Sequence, residues 1–208
     1  MKIVILILIF IILILILFAP LNTNPSYNNF NGIKNSLIKK SHILNIIPLN
    51  TLVCKENLLL FNSIMNQFDI FYWISEGTAL GAIRENRILP WDDDVDVSFN
   101  FEYRDKFINE ALPILLKNGF IIGEVRQNNN FIVLLRKNEK LDIDIVQKDG
   151  ECTANRTKNT NYNIDCNNLI KYLNNIHQIT FLGTQFNVPG EDYLEYLYGK
   201  DWKIPIKK

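Results

Sequence analysis

The chain has 208 residues, 48% of them hydrophobic, with Lys plus Arg matched at 22 each by Asp plus Glu. That length predicts one globular domain beside a separable end segment, and the apolar content excludes a disordered chain. A formal net charge of zero excludes a positive field that would draw nucleic acid, so any affinity for phosphate must be built locally.

Residues 3–19, "IVILILIFIILILILFA", form an unbroken apolar run between Lys2 and Pro20. The run sits at the lower edge of what spans a bilayer and exceeds the apolar centre of a signal peptide, roughly 7–15 residues. It predicts an uncleaved transmembrane anchor over residues 1–20, with Lys2 favouring a cytoplasmic N terminus and hence a single-pass, type II chain. Residues 21–52, rich in Asn, Ser and Pro, read as a stem or irregular lead-in, and 53–208 as the folded domain. The sequon Asn155–Thr157 agrees with a lumenal body. Cys152 and Cys166 flank it and either pair in an oxidising compartment, leaving Cys54 odd, or all three are buried thiols. His42 and His177 stand alone, with no zinc-ligand spacing.

From Glu56 the pattern sharpens. Leu60, Phe61, Ile64, Met65 and Phe68 recur at helical spacing, and "IFYWIS" then reads as a strand broken at Gly77. "TALGAIRENR" predicts a short helix stopped before Pro90, and "DVDVSF" alternates as a half-buried strand does. A second helix is expected over about Tyr103 to Asn118, kinked at Pro113 and capped by Gly119. Three strands follow as an antiparallel meander, "FIIGEV", "NFIVLLR" and "KLDIDIV". Beyond the sequon loop the expectations are a short helix "NLIKYLNNI", a hairpin "ITFLGTQFNV" turning at Gly183–Thr184, and a terminal helix capped by Gly199. The class is α+β, a mixed or antiparallel sheet flanked by helices.

The run "PWDDDVD" concentrates Asp92, Asp93, Asp94 and Asp96. Along a strand Asp94 and Asp96 share a face, and Asp142 and Asp144 of "LDIDIV" repeat the arrangement. If these strands are neighbours, carboxylates from both converge. Such a cluster calls for a divalent cation, Mg²⁺ or Mn²⁺, held by hard oxygen ligands and shared with phosphates. An EF-hand is excluded because the run has no glycine at the sixth position. Asp92 and Asp93 either face solvent or hold a second cation. Upstream, Gly77–Thr78 at a strand-to-helix turn suits close approach of phosphate to backbone, and Arg84 is a candidate clamp.

"EGTALGAIRENRILPWDDDVDVSF" resembles the signature of the LicD/fukutin-related phosphotransferase family, and "FNVPGEDYLEYLYGKDWKIP" is similar to its closing segment. The resemblance covers about Leu58 to Pro205. It implies a nucleotidyltransferase-type fold and transfer of a phosphorylated alcohol, such as phosphocholine or ribitol phosphate, from a CDP-activated donor to a glycan or glycoprotein. It implies Asp94 and Asp96 as metal ligands, Asp144 as the third carboxylate with Asp142 as the alternative, and Gly77, Thr78 and Arg84 at the donor-binding turn. It also implies a Golgi or ER membrane protein. The chain departs from the pattern at "ENR", where Arg87 replaces a more usual glycine step and either contacts phosphate or faces solvent. Competing readings are a nucleotidyltransferase or DxD-type glycosyltransferase using a nucleotide donor, and a non-catalytic membrane-tethered relative.

Overall fold

The computed structural model describes residues 48–126, 130–146 and 175–205. The anchor over 1–20, most of the stem, Cys152, Cys166, the sequon and nearly all of the helix expected at "NLIKYLNNI" lie outside the described residues. Among the described residues no helix is long and apolar enough to cross a membrane.

Helix α1 (Thr51–Gln67) starts five residues before Glu56, because Asn50 caps it: the Asn50 side chain accepts from the Val53 N–H at 3.2 Å. Its buried stripe is Cys54, Leu58, Phe61, Ile64 and Met65, the spacing of one helix face. Just upstream, buried Leu49 donates its N–H to the Pro90 carbonyl at 3.2 Å.

Strand β1 (Trp73–Ile74) is shorter than the apolar run suggested, since α2 (Glu76–Glu85) begins almost at once. Strand β2 (Val95–Asn100) follows the acidic run. The expected second helix is a composite. It comprises a 3₁₀ turn at Phe101–Tyr103, α3 (Arg104–Lys106), a π-turn at Phe107–Ala111, and α4 (Leu112–Lys117). Instead of a simple kink, the ladder widens ahead of Pro113, where Leu112 N–H reaches back five residues to Phe107. Proline lacks the N–H and crowds the preceding turn, and a π-turn is a recognised way to absorb this.

Strands β3 (Ile121–Arg126), β4 (Phe131–Arg136) and β5 (Glu139–Val146) form the antiparallel meander. The β4–β5 turn has Lys137 and Asn138 both left-handed, at φ 52° and 71°, the two-residue geometry that suits strand twist. β5 then lies parallel to β2, and β2 antiparallel to β1, giving the sheet order β1-β2-β5-β4-β3. β3 shifts register between Ile122 and Glu124, where a Cβ on Gly123 would come within 2.9 Å of Leu135. The separate hairpin β6 (His177–Phe181) and β7 (Thr184–Val188) turns at Leu182–Gly183, one residue earlier than expected, with both φ positive. Helix α5 (Glu191–Tyr198) ends at Gly199.

One sheet face carries the main core. Val95, Val97 and Phe99 on β2 alternate inward beside Leu141, Ile143 and Ile145 on β5, all at most 1% exposed. Phe99 meets Phe107 of the π-turn at 5.1 Å between centroids, and Phe61 of α1 meets Tyr72 edge-on at 5.2 Å. Burying each such side chain contributes about 1.5–3 kcal/mol. The opposite face is therefore left with the polar alternates of the same strands.

Candidate active site

Those alternates are the acidic residues. In the parallel β2–β5 register Asp96 lies directly opposite Asp142, and Ser98 opposite Asp144. Adjacent strands lie ~4.8 Å apart, so Asp96 and Asp142 project side by side from one face. They are only 6% and 7% exposed, so two carboxylates are placed together away from most water. Asp144 sits one step further along, half-buried. The structure thus brings together Asp96, Asp142 and Asp144 on two neighbouring strands, with Asp94 as the residue that leads into β2.

The rest of the acidic run folds back over α2. Two glycines make this close packing feasible. At Gly81 an added Cβ would fall 2.5 Å from the Arg87 carbonyl oxygen, and at Gly77 it would fall within 1.9 Å of Asp92 Oδ2. Arg87 N–H donates to Gly81 O at 3.2 Å, with Asn86 left-handed at the turn. Asp92 therefore rests against the first turn of α2. Ser75, the N-cap residue, makes no side-chain capping bond. Gly77 and Thr78 occupy the turn whose N–H groups have no intrahelical acceptor, the positive end of the helix dipole.

Thr78 has a positional task as well. It is 3% exposed, and its Oγ1 accepts the Asp96 N–H at 2.8 Å, pinning the start of α2 to the carboxylate strand. Arg84 is placed differently from Gly77 and Thr78. It lies seven residues along α2, ~10 Å at helical rise, and donates to Glu85 Oε1 at 2.7 Å and to the Trp202 carbonyl at 3.1 Å. To clamp a phosphate beside Gly77 it would have to leave both partners. Arg87 donates to Glu85 Oε2 and stacks on exposed Trp91 at 5.4 Å.

The oxygens suit a hard divalent cation. Among the described residues, Asp92, Asp93 and Asp94 each offer a ligand atom within 4.8 Å of one another, a donor set matching Mg²⁺ or Mn²⁺. Charge crowding is visible in the groups themselves. Burial, and next the Asp94 carboxylate, push the Asp92 carboxyl up to about 7 from an ordinary 3.8.

Lys140 was not anticipated from the sequence. Its Nζ lies 3.2 Å from Asp93 Oδ2 and 3.3 Å from Asp94 Oδ2. Burial would lower its pKa, but Asp94, Asp142 and Asp93 outweigh that and hold the ammonium firmly charged. Its sequence signal was alternation: Lys140, Asp142 and Asp144 share one strand face. Glu76, Tyr193 and Tyr198 were also missed. Glu76 adopts φ 44°, a costly conformation for a non-glycine, and its N–H donates to the Tyr193 hydroxyl at 3.4 Å. Burial raises the pKa of both tyrosines, helped by Glu76 and Asp96, so both hydroxyls stay protonated.

The Asp92 shift has a signed consequence. The unfolded chain releases this proton near 3.8 and the folded chain near 7, so between those values folding takes up a proton. Stability from this group is full below about pH 4 and is lost as pH rises through about 7. In chelator, the wild-type Tm should fall relative to that of Asp92→Asn as pH rises across this window. Added Mg²⁺ should restore it most at the upper end. Parallel Tm profiles for the two proteins would contradict the assignment.

The profile of the LicD/FKTN/FKRP nucleotidyltransferase domain matches residues 69–191. Ribitol-5-phosphate transferase FKTN of Macaca fascicularis is 31% identical over 165 residues, 74% of this chain and 34% of its own length. Lipopolysaccharide cholinephosphotransferase LicD of Haemophilus influenzae is 36% identical over 58 residues, 28% of this chain and 22% of its own length. Among solved structures, the lincosamide antibiotic adenylyltransferase LnuA aligns with 70% of this chain and 87% of its own, at TM-score 0.47 and 18% identity. The chain spans about a third of the length of the fukutin relatives it matches. With the profile covering more than half of its residues, from the approach to β1 into α5, the chain belongs to the LicD/FKTN/FKRP family through its nucleotidyltransferase domain.

Proposed function

We propose that this chain transfers a phosphorylated alcohol from a CDP-activated donor to a hydroxyl of a glycan, with Mg²⁺ or Mn²⁺ as cofactor. The observation that carries the reading is the register pairing of Asp96 with Asp142 beside the Asp92–Asp94 cluster, under the first turn of α2. Structural ion-pair networks also crowd charge. Here, however, Asp96, Asp142 and Asp144 occupy one face of two neighbouring strands with Asp94 just ahead of β2, beside a triad whose Asp93 and Asp94 meet Lys140. In this reading Asp94, Asp96 and Asp142 hold the ion. Asp142 is preferred to Asp144 as the third ligand because it is the register partner of Asp96. When bound, the ion supplies neutralisation of charge on the donor diphosphate.

The protein's own groups do the rest. The N–H groups of Gly77 and Thr78 receive phosphate oxygens at the helix start. The protonated hydroxyls of Tyr193 and Tyr198 serve as further donors on that side. The acceptor oxygen attacks the phosphorus bearing the alcohol, a new P–O bond forms, and the bond to CMP breaks. The hydroxyl proton passes to Asp144, which lies one strand step from the opposed pair.

The test incubates the full chain, recovered from membranes, with CDP-ribitol, CDP-glycerol, CDP-choline or CDP-ethanolamine and either metal. CMP release that requires both acceptor and metal is expected. Pyrophosphate or a nucleoside diphosphate as product would replace this reading with nucleotidyl or glycosyl transfer. The same preparation reads the anchor expected over residues 3–19: a chain washed off membranes by carbonate has none.

A further inference from the structure

A groove of about 360 Å³ opens on the β1 edge of the sheet, between the end of α1, the segment leading into β1 and the β6–β7 hairpin. Its chemistry differs from that of the acidic face. Among the described residues five carboxamides line it, Asn62 and Asn66 from α1 with Gln178, Gln185 and Asn187 from the hairpin, and no lysine, arginine or histidine takes part. A phosphate or nucleotide would find no cation among these described residues. Asp69, itself left-handed at φ 49°, adds an acceptor and disfavours anions further.

Four of these carboxamides, those of Asn62, Asn66, Gln185 and Asn187, are held in place. Asn62 Oδ1 accepts from Tyr72 Oη at 2.7 Å and from Asn66 Nδ2 at 3.3 Å. Asn187 Nδ2 donates to the Tyr72 carbonyl at 2.7 Å, and Gln185 Nε2 to Thr180 Oγ1 at 2.9 Å. In each case one polar atom of the amide fixes its plane. Each amide also carries a complementary atom of opposite character, Nδ2 of Asn62 or the oxygens of Asn66, Gln185 and Asn187. Phe71, 41% exposed, completes the wall with an apolar ring.

Alternating donors and acceptors on fixed planes, beside an exposed aromatic face and without net positive charge, match a neutral polyhydroxylated ring. Vicinal hydroxyls each need one donor and one acceptor, and the C–H face of the ring packs on the aromatic. We infer that this groove binds an uncharged saccharide. Its Tyr72 lies three residues, ~10 Å of extended chain, ahead of Ser75, whose N–H donates to the Asp96 carbonyl. The groove would therefore hold a glycan at a distance from the reacting centre.

The inference does not depend on the transfer chemistry, and its test is kept separate from it. Full-length protein, in chelator and without any CDP-donor, is titrated with neutral oligosaccharides containing hexose, pentose or N-acetylhexosamine units, and with a sulfated oligosaccharide. Binding is read by calorimetry and by NMR of the side-chain amides. One or more neutral glycans should bind with shifts at Gln178 and Gln185, and the sulfated one at least tenfold more weakly. Phe71→Ala and Gln178→Ala/Gln185→Ala, which change exposed positions, should each weaken binding about tenfold, as loss of one or two hydrogen bonds or a stacking face predicts. Asp96→Asn should bind as wild type does. Absence of binding by every neutral glycan, equal binding by both groove variants, or loss of binding in Asp96→Asn would each overturn the inference.

Discussion

Asp96→Asn should lower CMP release about a thousandfold, equivalent to ~4 kcal/mol of barrier, while the protein in chelator becomes no less stable than wild type. The change conserves shape at a site 6% exposed and leaves the Thr78 bond intact, since that bond uses the Asp96 backbone N–H. It removes one of two carboxylates directly opposed across the parallel ladder, which relieves repulsion when no ion is bound. Two companion variants divide the roles on β5. Asp142→Asn should weaken Mn²⁺ binding in calorimetry along with turnover. Asp144→Asn should keep Mn²⁺ affinity and lose 10²–10⁴-fold in turnover, the range for a proton acceptor. Wild-type turnover by Asp96→Asn would end the metal-site assignment. Reversed behaviour of the β5 pair would restore Asp144 as the third ligand.

The two glycines of α2 should separate stability from activity. At Gly81 the atom in the way is the Arg87 backbone oxygen, 2.5 Å from an added Cβ, with Leu89 Cγ at 2.9 Å. Backbone tied by the Arg87–Gly81 hydrogen bond cannot step aside cheaply. Gly81→Ala should therefore cost about 2–4 kcal/mol, of the order of severe overpacking, against the gain of under ~1 kcal/mol that alanine brings to an open helix position. At Gly77 the obstruction is the Asp92 carboxylate, 1.9 Å away. A side chain moves more easily than backbone, so Gly77→Ala should fold nearly as well. It should lose most of its turnover because Asp92 is displaced from the helix start. Denaturant midpoints and CMP release measured together check both, and a Gly81→Ala protein as stable as wild type would refute the packing argument.

The acidic face was legible because strand alternation is a local rule. "DVDVSF" and "LDIDIV" each declare which side chains share a face, and both strands form where expected. The pairing of β2 with β5, forty-six residues apart, was not contained in either segment. Register had to come from the sheet, which is why the sequence left Asp142 and Asp144 as alternatives. Lys140 belongs to the same alternation, but its contact with Asp93 and Asp94 depends on the pairing of β5 beside β2, which neither segment declares. Arg84 shows the opposite limit. Composition marks a cation near a phosphate turn, but only tertiary contacts reveal that its guanidinium is occupied by Glu85 and the Trp202 carbonyl. Glu76 could not be found by pattern, since a glutamate at φ 44° defies its own preference. The π-turn likewise needed the surrounding core, because Pro113 announces a disturbance without specifying its form.

The sheet's two margins bear on how the folded chain meets its own copies. At one margin β1 offers only two residues, and β7 lies against it, with Asn187 bonded to the Tyr72 carbonyl. At the other, β3 breaks step at Gly123 and presents the Glu124–Arg126 ion pair. Short, screened or bulged and charged borders give an incoming strand little uninterrupted backbone to zip onto. Self-association by strand addition is thereby discouraged at both ends of the sheet, and the apolar strands stay committed to the protein's own interior.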